Sequence, residues 1–184
     1  MTHPSQSPQS TRLKLTSVAD DHLRVFHRWF HNNAPERQTC RPISKKTADE
    51  LVTAYRNLPE SETVGDFSVV RLRDEELVGR VRYFDLNWRN RSAEIGYVIG
   101  PTFQGEGYAT EALELLLALL FDGHSLNKVY AQTAEFNEAS VALLQHWGFK
   151  QDGRLRQHHE LNGEFHDDLI FSLLAAEYKQ IIAH

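Results

Sequence analysis

The chain has 184 residues, is 41% hydrophobic and 24% charged, and carries a formal charge of −5. That length and composition suit one globular domain with a full core. The acidic balance argues against a nucleic-acid partner and suits a cationic one, the one cysteine, Cys40, excludes an internal disulfide framework and fits a reducing, cytoplasmic setting, and the longest apolar run, Leu115 to Phe121, is far short of the ~20 residues of a membrane span.

Residues 1–10 are polar, with three serines and two prolines and no basic-apolar signal segment, so a disordered leader is expected ahead of one domain over 11–184. Thr11 to Val18 alternates apolar and polar residues as a half-buried strand does. Asp20 or Asp21 can cap a helix to about Asn33 whose apolar stripe is Leu23, Phe26, Trp29 and Phe30. Thr47, with Glu50 three residues on, predicts a capping box and a second helix to about Leu58. Strands are expected at Asp66–Leu72, Glu76–Leu86 and Ala93–Ile99, with polar links short enough for an antiparallel meander. A helix from Gly107 to about Asp122, apolar on most faces, then leads to a fifth strand over Leu126–Ala134. A helical crossover makes the fourth and fifth strands parallel neighbours. A helix over Asn137–Trp147 has Asn137 as its cap and Gly148 as a left-handed stop. Strands at Phe149–Glu160 and Glu164–Leu174 flank Asn162-Gly163, a strong hairpin signal. The expected order is β-α-α-β-β-β-α-β-α-β-β.

The densest signal lies from Glu94 to Ala112: a buried strand, a stop at Gly100-Pro101, the bare glycines Gly105 and Gly107, then a helix. Such a loop offers unpaired N–H groups and the positive end of a helix dipole, which together make an anion site suited to phosphate. No Gly-Lys-Ser/Thr triplet follows, so the loop is not a P-loop. A dinucleotide fingerprint fails because Thr110 stands at its last position and too few strand–helix units follow. Gln104, Gly107 and Ala109 meet the pattern Q/R-x-x-G-x-G/A.

In the fuller form Gln104-Gly105-Glu106-Gly107-Tyr108-Ala109-Thr110-Glu111-Ala112, the loop resembles the acetyl-CoA loop of the GNAT superfamily of N-acetyltransferases. The element order is similar to that family's, independently of the loop. Glu94-Ile95-Gly96-Tyr97, Asn137-x-x-Ser140 with Trp147-Gly148-Phe149, and Leu161-Asn162-Gly163-Glu164-Phe165-His166-Asp167 resemble the RimJ/RimL branch, over roughly residues 11–175. The resemblance implies a mixed α+β fold: a mostly antiparallel, twisted sheet of about seven strands flanked by helices, with strands four and five parallel and splayed. It implies acetyl-CoA as co-substrate, no metal, direct transfer to a primary amine, foremost a protein N-terminal α-amine, and a monomer or homodimer.

Carried over residue by residue, the Gly105 to Thr110 amides meet the pyrophosphate, with the side chains of Glu106 and Glu111 turned away. Tyr97, Val98 and Ile99 run beside the pantetheine arm, and a backbone N–H near Tyr97 or Val98 polarises the thioester carbonyl. Asn137 contacts pantetheine in addition to capping its helix. Ser140 serves the departing thiolate. At pH 7 only about one primary amine in 2,500 is deprotonated, so a base or a water chain is needed. Glu94 matches the strand glutamate that some members use as base. The RimL type has an acid where this chain has His159, with Glu160 beside it, and strand alternation puts only one of the two on the cleft face. His159 has the better unperturbed pKa. Leu144 stands where many members carry a tyrosine acid, which leaves Ser140 or solvent for that step. Adjacent His158 and His159 make a poor chelate. Two other readings are open: acetylation of a polyamine or aminoglycoside, or an acyl-CoA-binding module that transfers nothing.

Overall fold

The computed structural model describes residues 12–32, 37, 39, 41, 43–59 and 61–183. The expected leader at 1–10 lies outside the described residues.

The strands β1 (Leu13–Ser17), β2 (Gly65–Arg71), β3 (Glu76–Asn87), β4 (Ser92–Ile99), β5 (Lys128–Ala134), β6 (Lys150–Leu161) and β7 (Glu164–Leu174) form one mixed sheet in the order β1-β2-β3-β4-β5-β7-β6. Strands β4 and β5 are parallel, and the fold class is the one expected. The described residues divide into two compact units, one drawn from Met1–His22 and Glu60–Val129, the other from Leu23–Pro59 and Tyr130–His184.

In the first unit, β2, β3 and β4 make the antiparallel meander that their short polar links require. Its core is apolar and β-branched where the strands are buried, with Val69, Val78 and Val81 fully enclosed. Helix α3 (Tyr108–Ala118) buries Ala112, Leu113 and Leu115 to Leu117, each large side chain contributing about 1.5–3 kcal/mol. The single helix expected to Asp122 instead closes in a wider turn over Leu119–Gly123, where His124 N–H reaches the Leu119 carbonyl at 3.0 Å. Strand β5 starts later than expected because the N–H groups of Asn127 and Lys128 both donate to the Arg91 carbonyl, at 2.7 and 3.1 Å.

In the second unit, α2 (Ala48–Arg56) starts on the expected capping box. Glu50 N–H donates to Thr47 Oγ1 at 3.3 Å and Thr47 N–H donates to Glu50 Oε2 at 2.8 Å. That backbone bond holds the Glu50 carboxyl below its ordinary pKa. Helix α1 (Asp20–Asn32) buries Leu23 and Phe26 of its stripe, while Trp29 and Phe30 are half-buried. Helix α4 (Glu138–His146) ends at Gly148, whose φ of 73° is left-handed as its position predicts. Asn162 and Gly163 have φ of 55° and 85°, so the β6–β7 hairpin closes through the turn their sequence specifies. A further helix, α5 (Ala175–Ile182), was not expected. Its N-cap is Leu174, which has no capping side chain, so the usual start signal is missing. Glu177 alone marks it, accepting the Leu174 N–H at 3.0 Å.

Candidate functional site

The glycine loop belongs to the first unit. Strand β4 pairs with β3 so that Tyr97, Val98 and Ile99 stand opposite Val81, Arg80 and Gly79. Gly100 N–H donates to the Val78 carbonyl at 2.9 Å and ends the strand. A short 3₁₀ turn over Pro101–Phe103 follows, and the Gln104 side chain donates back to the Ile99 carbonyl at 3.2 Å. Gln104 thus acts structurally, tying the loop to the strand it leaves.

Gly105 and Gly107 have φ of 81° and 82°, a region that side-chain-bearing residues adopt only with strain. The Gly107 carbonyl accepts the N–H groups of Thr110 and Glu111 at 3.1 and 3.3 Å, which starts α3. The preceding amides of Tyr108 and Ala109 have no intrahelical acceptor. The loop therefore presents donors at a helix N-terminus, an arrangement that favours an anion.

Arg12, just before β1, braces the loop. Both of its Nη atoms donate to the Glu106 carbonyl at 3.2 Å, its Nε bonds Glu111, and its guanidinium lies 4.7 Å from the centre of the Tyr108 ring. The Glu111 carboxylate is thereby ion-paired with Arg12, and the Glu106 side chain is exposed. Behind Tyr108 stands buried Arg71, donating to the Tyr108 hydroxyl at 3.2 Å. Hydrogen bonds to Asp74 and then Tyr108 keep the Arg71 guanidinium charged well above its ordinary range. Glu94, half-buried on β4, pairs opposite Phe84.

The second unit carries the other candidates. Asn137 Oδ1 accepts the Ser140 N–H at 3.3 Å, so Asn137 caps α4 and Ser140 sits half-buried in its first turn. Leu144 is fully enclosed in the core. On the hairpin, alternation turns His159 inward and Glu160 outward. His159 is only 3% exposed, and its Nδ1 lies 3.5 Å from Oδ1 of the equally buried Asp168. The Phe136 ring stands edge-on to His159 at 4.9 Å. Glu160 is exposed, and its carboxylate accepts the Gly163 N–H of its own turn at 2.6 Å.

Between these features β6 is bulged. Leu155 pairs with Asp168 but His159 pairs with His166, which leaves two extra residues in β6. Gln157 takes a φ of 52° there, and its N–H donates to Asp167 Oδ1 at 2.8 Å. Arg154 donates to both Glu135 and Asp167, at 2.7 and 2.8 Å. Its hydrogen bond, foremost, holds the Asp167 carboxyl below the usual carboxylate range.

Sequence reasoning missed Arg12, Arg71, Gln132 and Asp168. Arg12 meets its partners 94 to 99 residues away and Arg71 meets Tyr108 37 residues away, so no local pattern marks their contacts with the loop. A signal for Asp168 was available: a carboxylate immediately before the apolar run Leu169-Ile170-Phe171 must be buried with a partner or break the strand. No group of three or more His, Cys, Asp or Glu side chains suited to a metal ion is found among the described residues.

Comparison with known proteins agrees with this arrangement. Residues 12–150 match the family model of the acetyltransferase (GNAT) domain. The chain is 30% identical to the uncharacterized N-acetyltransferase p20 of Bacillus licheniformis over 131 residues, 71% of this chain and 74% of that protein. It is 37% identical to the Bacillus subtilis protein YdaF, provisionally named a ribosomal N-acetyltransferase, over 59% of each chain. The solved structure of the Vibrio cholerae spermidine N-acetyltransferase in complex with CoA and spermine is similar with a TM-score of 0.83 and 26% identity, covering 92% of this chain and 99% of that one.

Proposed function

The chain belongs to the GNAT acetyltransferases, and we propose that it transfers the acetyl group of acetyl-CoA to a small cationic amine of the polyamine class. The observation that carries this reading is the likeness, over nearly the whole chain, to an enzyme solved with CoA and spermine. The formal charge of −5 supports it, since an acidic protein attracts a polycation. The reading replaces the protein N-terminal amine as the leading acceptor.

In this proposal the Gly105–Ala109 amides bind the pyrophosphate, with Arg12 fixing the loop's shape, while the Thr110 N–H, expected to join them, is taken by the Gly107 carbonyl. Binding there needs no charged side chain from the loop, because the helix N-terminus supplies the favourable potential. Ser140 serves the departing thiolate from the first turn of α4. His159 is the first candidate for the base, Glu94 the second, and Glu160 the third because its carboxylate is engaged in the hairpin turn.

A panel of spermidine, spermine, an aminoglycoside and a peptide with a free N-terminus, assayed by CoA release, tests the reading. Preferential turnover of the polyamines is expected. Turnover of the peptide alone favours the second reading, a protein N-terminal acetyltransferase, which rests on the identity to YdaF. The Vibrio cholerae enzyme also has a dodecameric form, so sedimentation is the measurement for the proposed monomer or homodimer.

A further inference from the structure

We propose that Asp168 is the positioning residue of a buried His159–Asp168 pair, holding the imidazole with its proton on Nδ1 so that Nε2 accepts a proton from the attacking amine. The inference rests on the acetyltransferase reading above and assigns its proton acceptor.

Asp168 lies on β7 with 1% of its surface exposed. An ionised carboxylate so removed from water costs several kcal/mol unless partners replace its hydration. One oxygen has such a partner: Gln132 Nε2, from β5, donates to Asp168 Oδ2 at 2.7 Å. The other, Oδ1, has no hydrogen bond among the described residues. Facing it is His159 Nδ1 at 3.5 Å, just beyond hydrogen-bond length. Acid–base contacts in unliganded enzymes are commonly long and tighten with substrate. Gln132 therefore aims the carboxylate, and Oδ1 is left for the imidazole.

The imidazole itself is held. The Phe136 ring packs against it in a T-shaped arrangement with an interplanar angle of 83°. His166, opposite His159 in the register, meets the same Phe136 ring at 5.1 Å, and the Arg37 guanidinium lies 5.7 Å from its centre. Among the described residues, the titratable groups that face His159 include Asp168 and His166 from β7, with Arg37 beyond Phe136. His158 and Glu160, its chain neighbours, are exposed.

A neutral imidazole that donates Nδ1–H to Asp168 keeps its lone pair on Nε2. That nitrogen takes one proton from the substrate ammonium. The freed amine lone pair forms the C–N bond at the thioester carbonyl carbon, the C–S bond breaks, and the second N–H proton ends on the departing thiolate. The imidazolium formed meanwhile is stabilised by the Asp168 charge.

The test pairs ¹⁵N NMR of the His159 ring with the pH profile of kcat/KM for spermidine, in the wild type and in Asp168→Asn. The wild type should show the Nδ1–H tautomer. In Asp168→Asn that preference should be lost, the acid limb of the profile should move to lower pH, and kcat should fall about 10- to 100-fold, at the low end of what acid–base catalysis supplies. The CoA-induced rise in Tm should be unchanged, and Asp168→Glu should recover part of kcat. An Nε2–H tautomer in the wild type, or an Asn variant with the wild-type tautomer and profile, overturns the pair alone. Should the Asn variant fail to fold, the wild-type tautomer still decides. A chain that binds CoA but acetylates no amine overturns the proposed function and the proton-acceptor role with it.

Discussion

Around Gly107 the chain presents backbone; around His159 it presents side chains. The loop between β4 and α3 exposes amides at a helix start, and its shape depends on two glycines at φ of 81° and 82°. The hairpin of β6 and β7 encloses an imidazole and a carboxylate, and its shape depends on a bulge held by Arg154 and Asp167. A backbone site is written locally, because conformation and donors come from consecutive residues. A side-chain site assembled across strands is written in pairings, which local sequence carries poorly.

The largest expected effect falls on the backbone site. Gly107→Val forces a β-branched residue into a left-handed conformation, at a cost of about 1–3 kcal/mol, and its Cβ would lie 3.3 Å from Arg12 Nη2. The loop should abandon its shape, and the rise in Tm that CoA gives the wild type by mass action should vanish. Gly105→Ala sharpens the point, because its Cβ would meet nothing within 4 Å: any loss there is conformational alone. A CoA shift that survives Gly107→Val means that the anion is held elsewhere.

The next effect falls on the hairpin. His159→Ala should lower kcat by about 10²- to 10⁴-fold, the usual span of general-base catalysis, and the deficit should shrink as pH rises and the amine deprotonates unaided. Glu94→Gln, measured alongside, should cost less. Equal, small and pH-independent losses in both would leave the proton to a water chain. Ser140→Ala should follow at about 10- to 1,000-fold in kcat, with CoA affinity unchanged. The Ser140 main-chain N–H already bonds Asn137, so the helix start survives the substitution. Full turnover in that variant would reduce Ser140 to a helix residue.

These expectations divide along the line of what the sequence discloses. The capping box at Thr47, the Asn137 cap, the left-handed Gly148 and the Asn162-Gly163 turn all rest on residues within four positions of one another, and each was readable. So was the meander, since three strands with short links have few other arrangements. The helix at Ala175–Ile182 was not, because its cap lacks a polar side chain. The brace of Arg12 on Glu106 and Glu111 was not either, as it joins the start of β1 to the start of α3. His159 and Glu160 were both candidates by position; only the strand register shows one turned inward beside Asp168 and the other engaged in the turn.

The smallest effect concerns the bulge that precedes His159, and it depends on acid. The Asp167 carboxyl is held below its ordinary pKa by the hydrogen bond from Arg154 and then by the Gln157 N–H. A depressed folded-state pKa means that the native state binds the proton less readily than the unfolded chain does. The stability this adds is complete above the unfolded carboxylate pKa of about 3.9 and is lost as pH falls through the lower folded value. Asp167→Asn removes the charge at every pH. The gap in Tm between wild type and variant should therefore be constant near neutrality and close as pH is lowered past about 4. The pair is partly solvated, so the gap should be small and should narrow further with added salt. Arg154→Met leaves the Gln157 bond in place, so it should open a smaller gap that closes over the same pH range. A gap that persists at low pH would mean that Asp167 supports the bulge through geometry rather than charge.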